Sequence, residues 1–358
     1  MNIAFFGSSL VSAYWNGAAT YYRGLLKALH ERGHSITFYE PDAYERQQHR
    51  DIADPNYARV VVYENAAAAA HRSLEQARDA DLIVKASGVG VYDELLEAGV
   101  LSLKTERNHV VFWDVDAPAT LNGAQNDPFD TFRDLIPQYD GIFTYGGGQP
   151  VIDAYAELGA RWCVPVYNAL DADTHFPGER DPRFEAELGF LGNRLPDREA
   201  RVEEFFLKPA ASLPDKTFLL GGNGWGDKGM PTNVQYAGHV YTRDHNAFNA
   251  TPLAVLNIAR DSMAEYGFSP ATRVFEAAGG AACLITDWWE GIEMFFEPEK
   301  EILVARDGDE VASILSDLTP ERARAIGQAA LKRALSDHLY KHRAGEVERA
   351  LGMEPVAR

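Results

Sequence analysis

The chain has 358 residues, 46% hydrophobic and 24% charged, the balance of a globular protein long enough for two domains. That excludes a disordered, collagen-like or disulfide-stapled chain. With 34 Lys and Arg against 53 Asp and Glu, its formal charge is −19. This disfavours non-specific attraction to nucleic acid or anionic membrane and leaves scope only for a local basic cleft.

The first forty residues alternate cleanly. Residues 3–6 predict a short buried strand, Gly7-Ser8-Ser9 a turn, 18–32 an amphipathic helix closed by Gly33, and 35–39 a second strand stopped at Pro41. Strand, helix and strand in that order make a parallel βαβ unit with a right-handed crossover. Further buried strands are expected over 81–86, 109–113, 141–145 and 162–166, with helices over 66–77 and 149–158. The Asp- and Pro-rich stretch 168–183 breaks the rhythm and reads as a linker. Beyond it the alternation restarts. Strands are expected over 188–191, 217–220, 253–258, 282–286 and 301–304, and helices over 197–206, 272–278, 309–318 and 320–338. A helical tail over 340–351 has the length to pack back on the first half. The expected architecture is α/β, two Rossmann-like, doubly wound parallel-sheet domains facing across a cleft. The first spans 1–172 and the second 173–338, with 339–358 as the tail.

Residues 1–7 lack a basic n-region and a long apolar core, and no stretch approaches a membrane span, so a soluble cytoplasmic protein is expected. Cys163 and Cys283 sit in apolar runs without a CxxC partner and read as buried thiols in a reducing compartment.

In doubly wound sheets the ligand lies beyond the carboxyl ends of the strands, which selects the residues that follow each strand. Gly7, with Gly17 at the next helix start, offers backbone N–H groups to a phosphate or sugar, or forms a plain turn; no GxGxxG fingerprint is present. Asp114 and Asp116 follow the strand ending at Trp113, where either one is a general base for an acceptor hydroxyl or a helix cap. Gly146-Gly147-Gly148 permits close backbone approach at the same edge. In the second half, Arg194, Asn223 and Arg260 stand after successive strands, the arginines suited to a phosphate. Trp225 lies beside a base or packs within its loop. Thr272, Arg273 and Glu276 fall in one helix, and Arg273 and Glu276 share a face at i, i+3. They form either a surface ion pair or a pyrophosphate and ribose site. The ten histidines are scattered without HxH or HExxH spacing. Asp171-Ala172-Asp173 lies in the linker, where Asp is a turn-former, and no metal site is expected.

Taken together, Arg273-Val274-Phe275-Glu276-Ala277-Ala278-Gly279-Gly280, Leu284-Ile285-Thr286-Asp287, Gly291-Ile292-Glu293 and Leu256-Asn257-Ile258-Ala259-Arg260 resemble the C-terminal signature of GT-B-fold glycosyltransferases, in particular the CgeB-like, spore-maturation-type family. Trp15-Asn16-Gly17, Phe112-Trp113-Asp114-Val115-Asp116-Ala117-Pro118 and the linker 168–177 extend the resemblance over nearly the whole chain. It implies a hexosyltransferase with a UDP-, GDP- or TDP-sugar donor held mainly by the second domain. The acceptor, a small molecule, glycan or protein, would be held mainly by the first, with no obligate cofactor or metal. Glu276 matches the carboxylate used for the donor ribose. Retaining relatives often carry a second Glu eight residues earlier, where this chain has Phe268, so the stereochemical outcome stays open. A nucleotide-sugar 2-epimerase on the same fold, recruiting Asp114, Asp116 and His239, and a non-catalytic two-domain sugar binder are the alternatives.

Overall fold

A computed structural model describes residues 1–353; positions 354–358, the end of the expected tail, lie outside the described residues. The chain divides into two compact units. The first is Met1–Asn168 together with the segment from Tyr340 onward, the second Ala169–Leu339. The division falls upstream of the expected 172/173 boundary.

The first unit runs β1 (Asn2–Phe6), α1 (Ala19–Glu31), β2 (Ser35–Pro41), β3 (Arg59–Tyr63), α2 (Ala67–Gln76), β4 (Leu82–Ala86), α3 (Asp93–Leu101), β5 (His109–Asp114), α4 (Ala117–Asn126), β6 (Gly141–Thr144), α5 (Gly148–Glu157) and β7 (Cys163–Pro165). Its seven strands are parallel in the order β3-β2-β1-β4-β5-β6-β7. Helix α1 forms because Ala19, Tyr22, Leu25, Leu26 and Leu29 make one buried stripe at helical spacing.

The second unit runs β8 (Leu188–Leu191), α6 (Pro196–Val202), α7 (Lys208–Ser212), β9 (Phe218–Gly221), β10 (Val234–Gly238), α8 (His245–Ala250), β11 (Ala254–Asn257), α9 (Asp261–Tyr266), α10 (Thr272–Gly279), β12 (Leu284–Asp287), β13 (Leu303–Ala305), α11 (Gly308–Asp317) and α12 (Pro320–Asp337). Its six parallel strands order as β10-β9-β8-β11-β12-β13. A widened turn over Glu203–Leu207 joins α6 to α7. Pro209 has no N–H to reach back to Phe205, and the widened turn takes up that break. Phe190, Leu220, Leu256, Ile285 and Leu303 line the sheet side of the core, facing Phe206, Val311 and Ile326.

Helix α13 (Tyr340–Ala350) belongs to the first unit. Of the two cysteines, Cys283 is buried and Cys163 only half-buried. Burial pushes both thiols up to about 12.

In each unit the strand order reverses direction once, between β1 and β4 and between β8 and β11. The loops leaving those paired strands diverge and open a crevice at the carboxyl edge of each sheet.

Candidate active site

The crevice of the second unit gathers most of the charge. Arg198 stands in the first turns of α6, just after β8, and Arg260 follows β11, so the two flank the reversal point. Asp197 accepts from Arg260 Nε at 2.5 Å. Asp287, fully buried at the end of β12, accepts from Arg201 at 2.5 Å and from the Ala259 N–H at 2.9 Å. Those bonds tie the ends of β11 and β12 to α6. Burial pushes the Arg198 guanidinium below its ordinary range; Asp197 opposes this, and Arg260 and Arg273 add to it. The Arg198 Nε has no hydrogen-bond partner. Three guanidiniums held this close repel one another, and an anion between them relieves that repulsion.

Arg273 and Glu276 occupy the first turns of α10, with their closest atoms 3.9 Å apart. His175 Nε2 lies 3.8 Å from Glu276 Oε1, and His245, the first residue of α8, comes close to His175 with ring centroids 6.0 Å apart. These groups meet for a topological reason. The crossovers β10–β11 and β11–β12 run the same way across the sheet, so right-handed connection puts α8 and α10 on one face. Asn249 of α8 packs against Gly280 at the end of α10. Burial pushes Glu276 up, but His175, Arg273 and His245 together pull harder, and its carboxyl sits below the ordinary range. Burial carries His245 down to about 4 despite Glu276.

Other expected residues are placed differently. Arg194 is held by Glu199 at 2.7 Å and Asp227 at 3.0 Å, so it is a loop clamp rather than an open phosphate ligand. Together with Lys228 it draws the Glu199 carboxyl down to about 2. Asn223 is exposed, and its N–H donates to Asn193 Oδ1 at 2.9 Å. Trp225 is buried and donates to the Gly192 carbonyl at 2.8 Å, so it packs within its loop. Gly222 beside it has φ +117°, and a Cβ there would stand 2.2 Å from that same carbonyl oxygen. The loops after β8 and β9 close on each other only because this residue is glycine. Thr272 opens α10.

In the first unit, Gly7 ends β1 where a Cβ would stand 2.5 Å from the Phe38 ring, so packing alone requires glycine. Gly17, before α1, has open space around it. Asp114 is fully buried. Its Oδ1 accepts from Ser87 Oγ (2.8 Å), Thr120 Oγ1 (2.9 Å) and the Asp116 N–H (3.0 Å), and its Oδ2 from the Tyr155 hydroxyl (2.6 Å). Burial raises its carboxyl despite these donors. Saturated in this way, Asp114 is a brace for the end of β5 and not a base open to substrate. Asp116, at the N-cap of α4, is half-buried. A cleft of about 310 Å³ lies next to this brace, lined among others by Ser87, Glu97, Phe112, Thr120, Phe129 and Phe132.

Sequence spacing hides Arg198, His175 and His245. Arg198 sits in an ordinary-looking helical segment, and the two histidines are joined only through the fold. The position of Phe268 carries no carboxylate; its N–H donates to the Glu290 carbonyl at 2.6 Å in a loop with φ +47°.

Residues 198–349 match the glycosyl transferase-like family. The whole chain is similar in structure to sucrose-phosphate synthase from Thermosynechococcus elongatus, with a TM-score of 0.68 at 14% identity, covering 98% of this chain and 99% of that one. Anabaena HepE in complex with UDP and glucose aligns with a TM-score of 0.67 at 13% identity, over 98% and 99% of the two chains. The T4 phage enzyme BGT with its UDP-glucose substrate aligns at 0.62 and 11% identity, over 99% and 100%. Two parallel-sheet units of this strand order define a GT-B architecture. The fold is that of GT-B enzymes, and residues 198–349 carry the glycosyl transferase-like match. Among the described residues no helix is long and apolar enough to cross a membrane.

Proposed function

We propose that this protein transfers a sugar from a UDP-sugar to a hydroxyl-bearing acceptor, as a member of the CgeB-like branch. The observation that carries the reading is the convergence of Arg198, Arg260 and Arg273 on the reversal point of the second sheet, with Glu276 beside them. Those cations suit a diphosphate, which gains negative charge as it leaves, and they stabilise it without reorganising. Glu276 is held ionised and suits the ribose hydroxyls as a hydrogen-bond acceptor. The structural neighbours determined with UDP or UDP-glucose support uracil over other bases. On this reading the guanidiniums supply the electrostatic role, and transfer proceeds without an obligate metal. The acceptor sits in the first unit, at the cleft lined by Phe129 and Thr120, with Asp116 as the base for its hydroxyl.

The test is thermal shift against UDP, GDP, TDP, ADP and CMP, each with and without magnesium. UDP at a hundred times its Kd should add about 2.7 kcal/mol with or without the metal, and Arg198→Met and Arg273→Met should each abolish the shift. No shift with any of the five nucleotides would overturn the reading.

A further inference from the structure

Nucleotide binding by Glu276 leaves two ring nitrogens beside it unexplained. His175 is 4% exposed, and its Nδ1 lies 3.0 Å from Thr174 Oγ1 while its Nε2 has no partner. The His245 Nδ1 also has no partner. In the His175 ring one nitrogen is engaged by an outer group and the other is bare. One nitrogen of each ring and a Glu276 oxygen all lie within 4.8 Å of one another, with His175 Nε2 3.8 Å from Glu276 Oε1. Buried polar atoms without partners are costly, so such a convergence calls for something to fill it.

We propose that His175 Nε2, His245 Nδ1 and one carboxylate oxygen of Glu276 bind a zinc ion. Two imidazoles and a carboxylate are a zinc ligand set with a fourth position open. The outer hydrogen bond between His175 Nδ1 and Thr174 fixes that ring's orientation in the way that metal-bound histidines require. Zinc bonds of about 2.0–2.1 Å need ligand atoms roughly 3.4 Å apart, a closure within reach of side-chain rotation. Arg273 faces the other oxygen of Glu276 and opposes a dication, so the ion is exchangeable rather than locked in. One consequence rests on the donor-site reading above: Glu276 cannot serve a ribose and the ion together, so zinc and nucleotide exclude each other.

The experiment uses the full chain stripped with a chelator and titrated with zinc chloride by calorimetry, without nucleotide. One ion per chain is expected. His175→Gln and His245→Gln should each weaken it by roughly 100-fold, and Thr174→Val, which removes only the outer bond, by about 10-fold. Metal-free melting curves identify any variant that has lost its fold, in which case the remaining two decide. Absence of one-to-one binding, or binding unchanged in the folded variants, overturns the proposal; the latter result is surface carboxylates holding zinc adventitiously. A UDP titration of the metal-free protein tests the donor reading separately, so either reading can fail while the other stands. Where both hold, zinc at ten times its own Kd should raise the apparent Kd of UDP about 10-fold, by reciprocal linkage.

Discussion

The pair Asp114 and Asp116 shows how two carboxylates, two residues apart, take different work from their surroundings. Asp114 accepts four hydrogen bonds inside the first unit, and a brace of that kind has its own mutational signature. Asn at 114 can keep the three donors on Oδ1 and turn the Tyr155 hydroxyl into an acceptor, so Asp114→Asn should fold and retain transferase activity within a few-fold. Asp114→Ala strands all four donors and should cost about 3 kcal/mol or more, read by urea denaturation. A catalytic base would behave oppositely, since its Asn variant loses roughly 10²–10⁴ in rate. Glu276 carries the converse pH signature. Its folded carboxyl lies below the ordinary range because His175, Arg273 and His245 outweigh the effect of burial. That stability is present above the unfolded value of about 4.3 and lost as pH falls through the folded one. Between pH 5 and pH 3, Glu276→Gln should lose less stability than the native chain, and at neutral pH it should bind UDP about 10-fold or more weakly. Equal acid sensitivity of the two proteins would remove Glu276 from the cluster.

At the scale of elements, α13 shows what a distant segment contributes. Its Tyr340 ring lies over Gly24 of α1, where a Cβ would stand 2.1 Å from the ring. Glu348 is 3% exposed and is gripped by Arg32 Nε at 2.8 Å and His34 Nε2 at 3.0 Å. The hydrogen bond from Arg32 is the main reason that the Glu348 carboxyl lies low. Gly24→Ala should therefore overpack this contact at a cost of about 1–3 kcal/mol. Amide exchange over 340–350 should accelerate more than exchange over β4 or β5; uniform acceleration would mean that the helix is not a separable layer. The sequence made much of this layer readable, since the periodicity of 340–351 and of α1 marks both helices. The expected strands do not include β3 and β10. Both are edge strands: β10 is mostly exposed and shows no apolar run, whereas β3 carries the run Val60-Val61-Val62-Tyr63 and was passed over despite it. Helix α4 showed in the sequence only through the helix-cap reading of Asp114 and Asp116, because Pro118 and Gly123 within it carry low helix propensity. Glu276, Arg273 and Arg260 were legible because they follow strands or ride a patterned helix. His175 and His245 were not, because only the handedness of two crossovers brings a linker and α8 beside α10.

For the whole molecule, the chain order itself makes a prediction. The first unit is completed by a segment that follows the entire second unit in the chain. Unit 2 has its own sheet and core, whereas unit 1 lacks the cover of α1 until Tyr340 onward is present. Removing everything from Tyr340 should then bare the face of α1 that holds Tyr21 and Gly24, and lower the melting temperature of the first unit alone. UDP should do the reverse, since its proposed ligands all belong to unit 2 and a ligand stabilises only what it binds in the folded state. Calorimetry on the truncated chain should therefore show two transitions, with UDP raising one and leaving the other in place. If UDP moved both transitions equally, the units would be one cooperative block and α13 would act on both. If UDP moved only the transition weakened by the truncation, the nucleotide would belong to the first unit, and Arg198, Arg260 and Arg273 would need another anion.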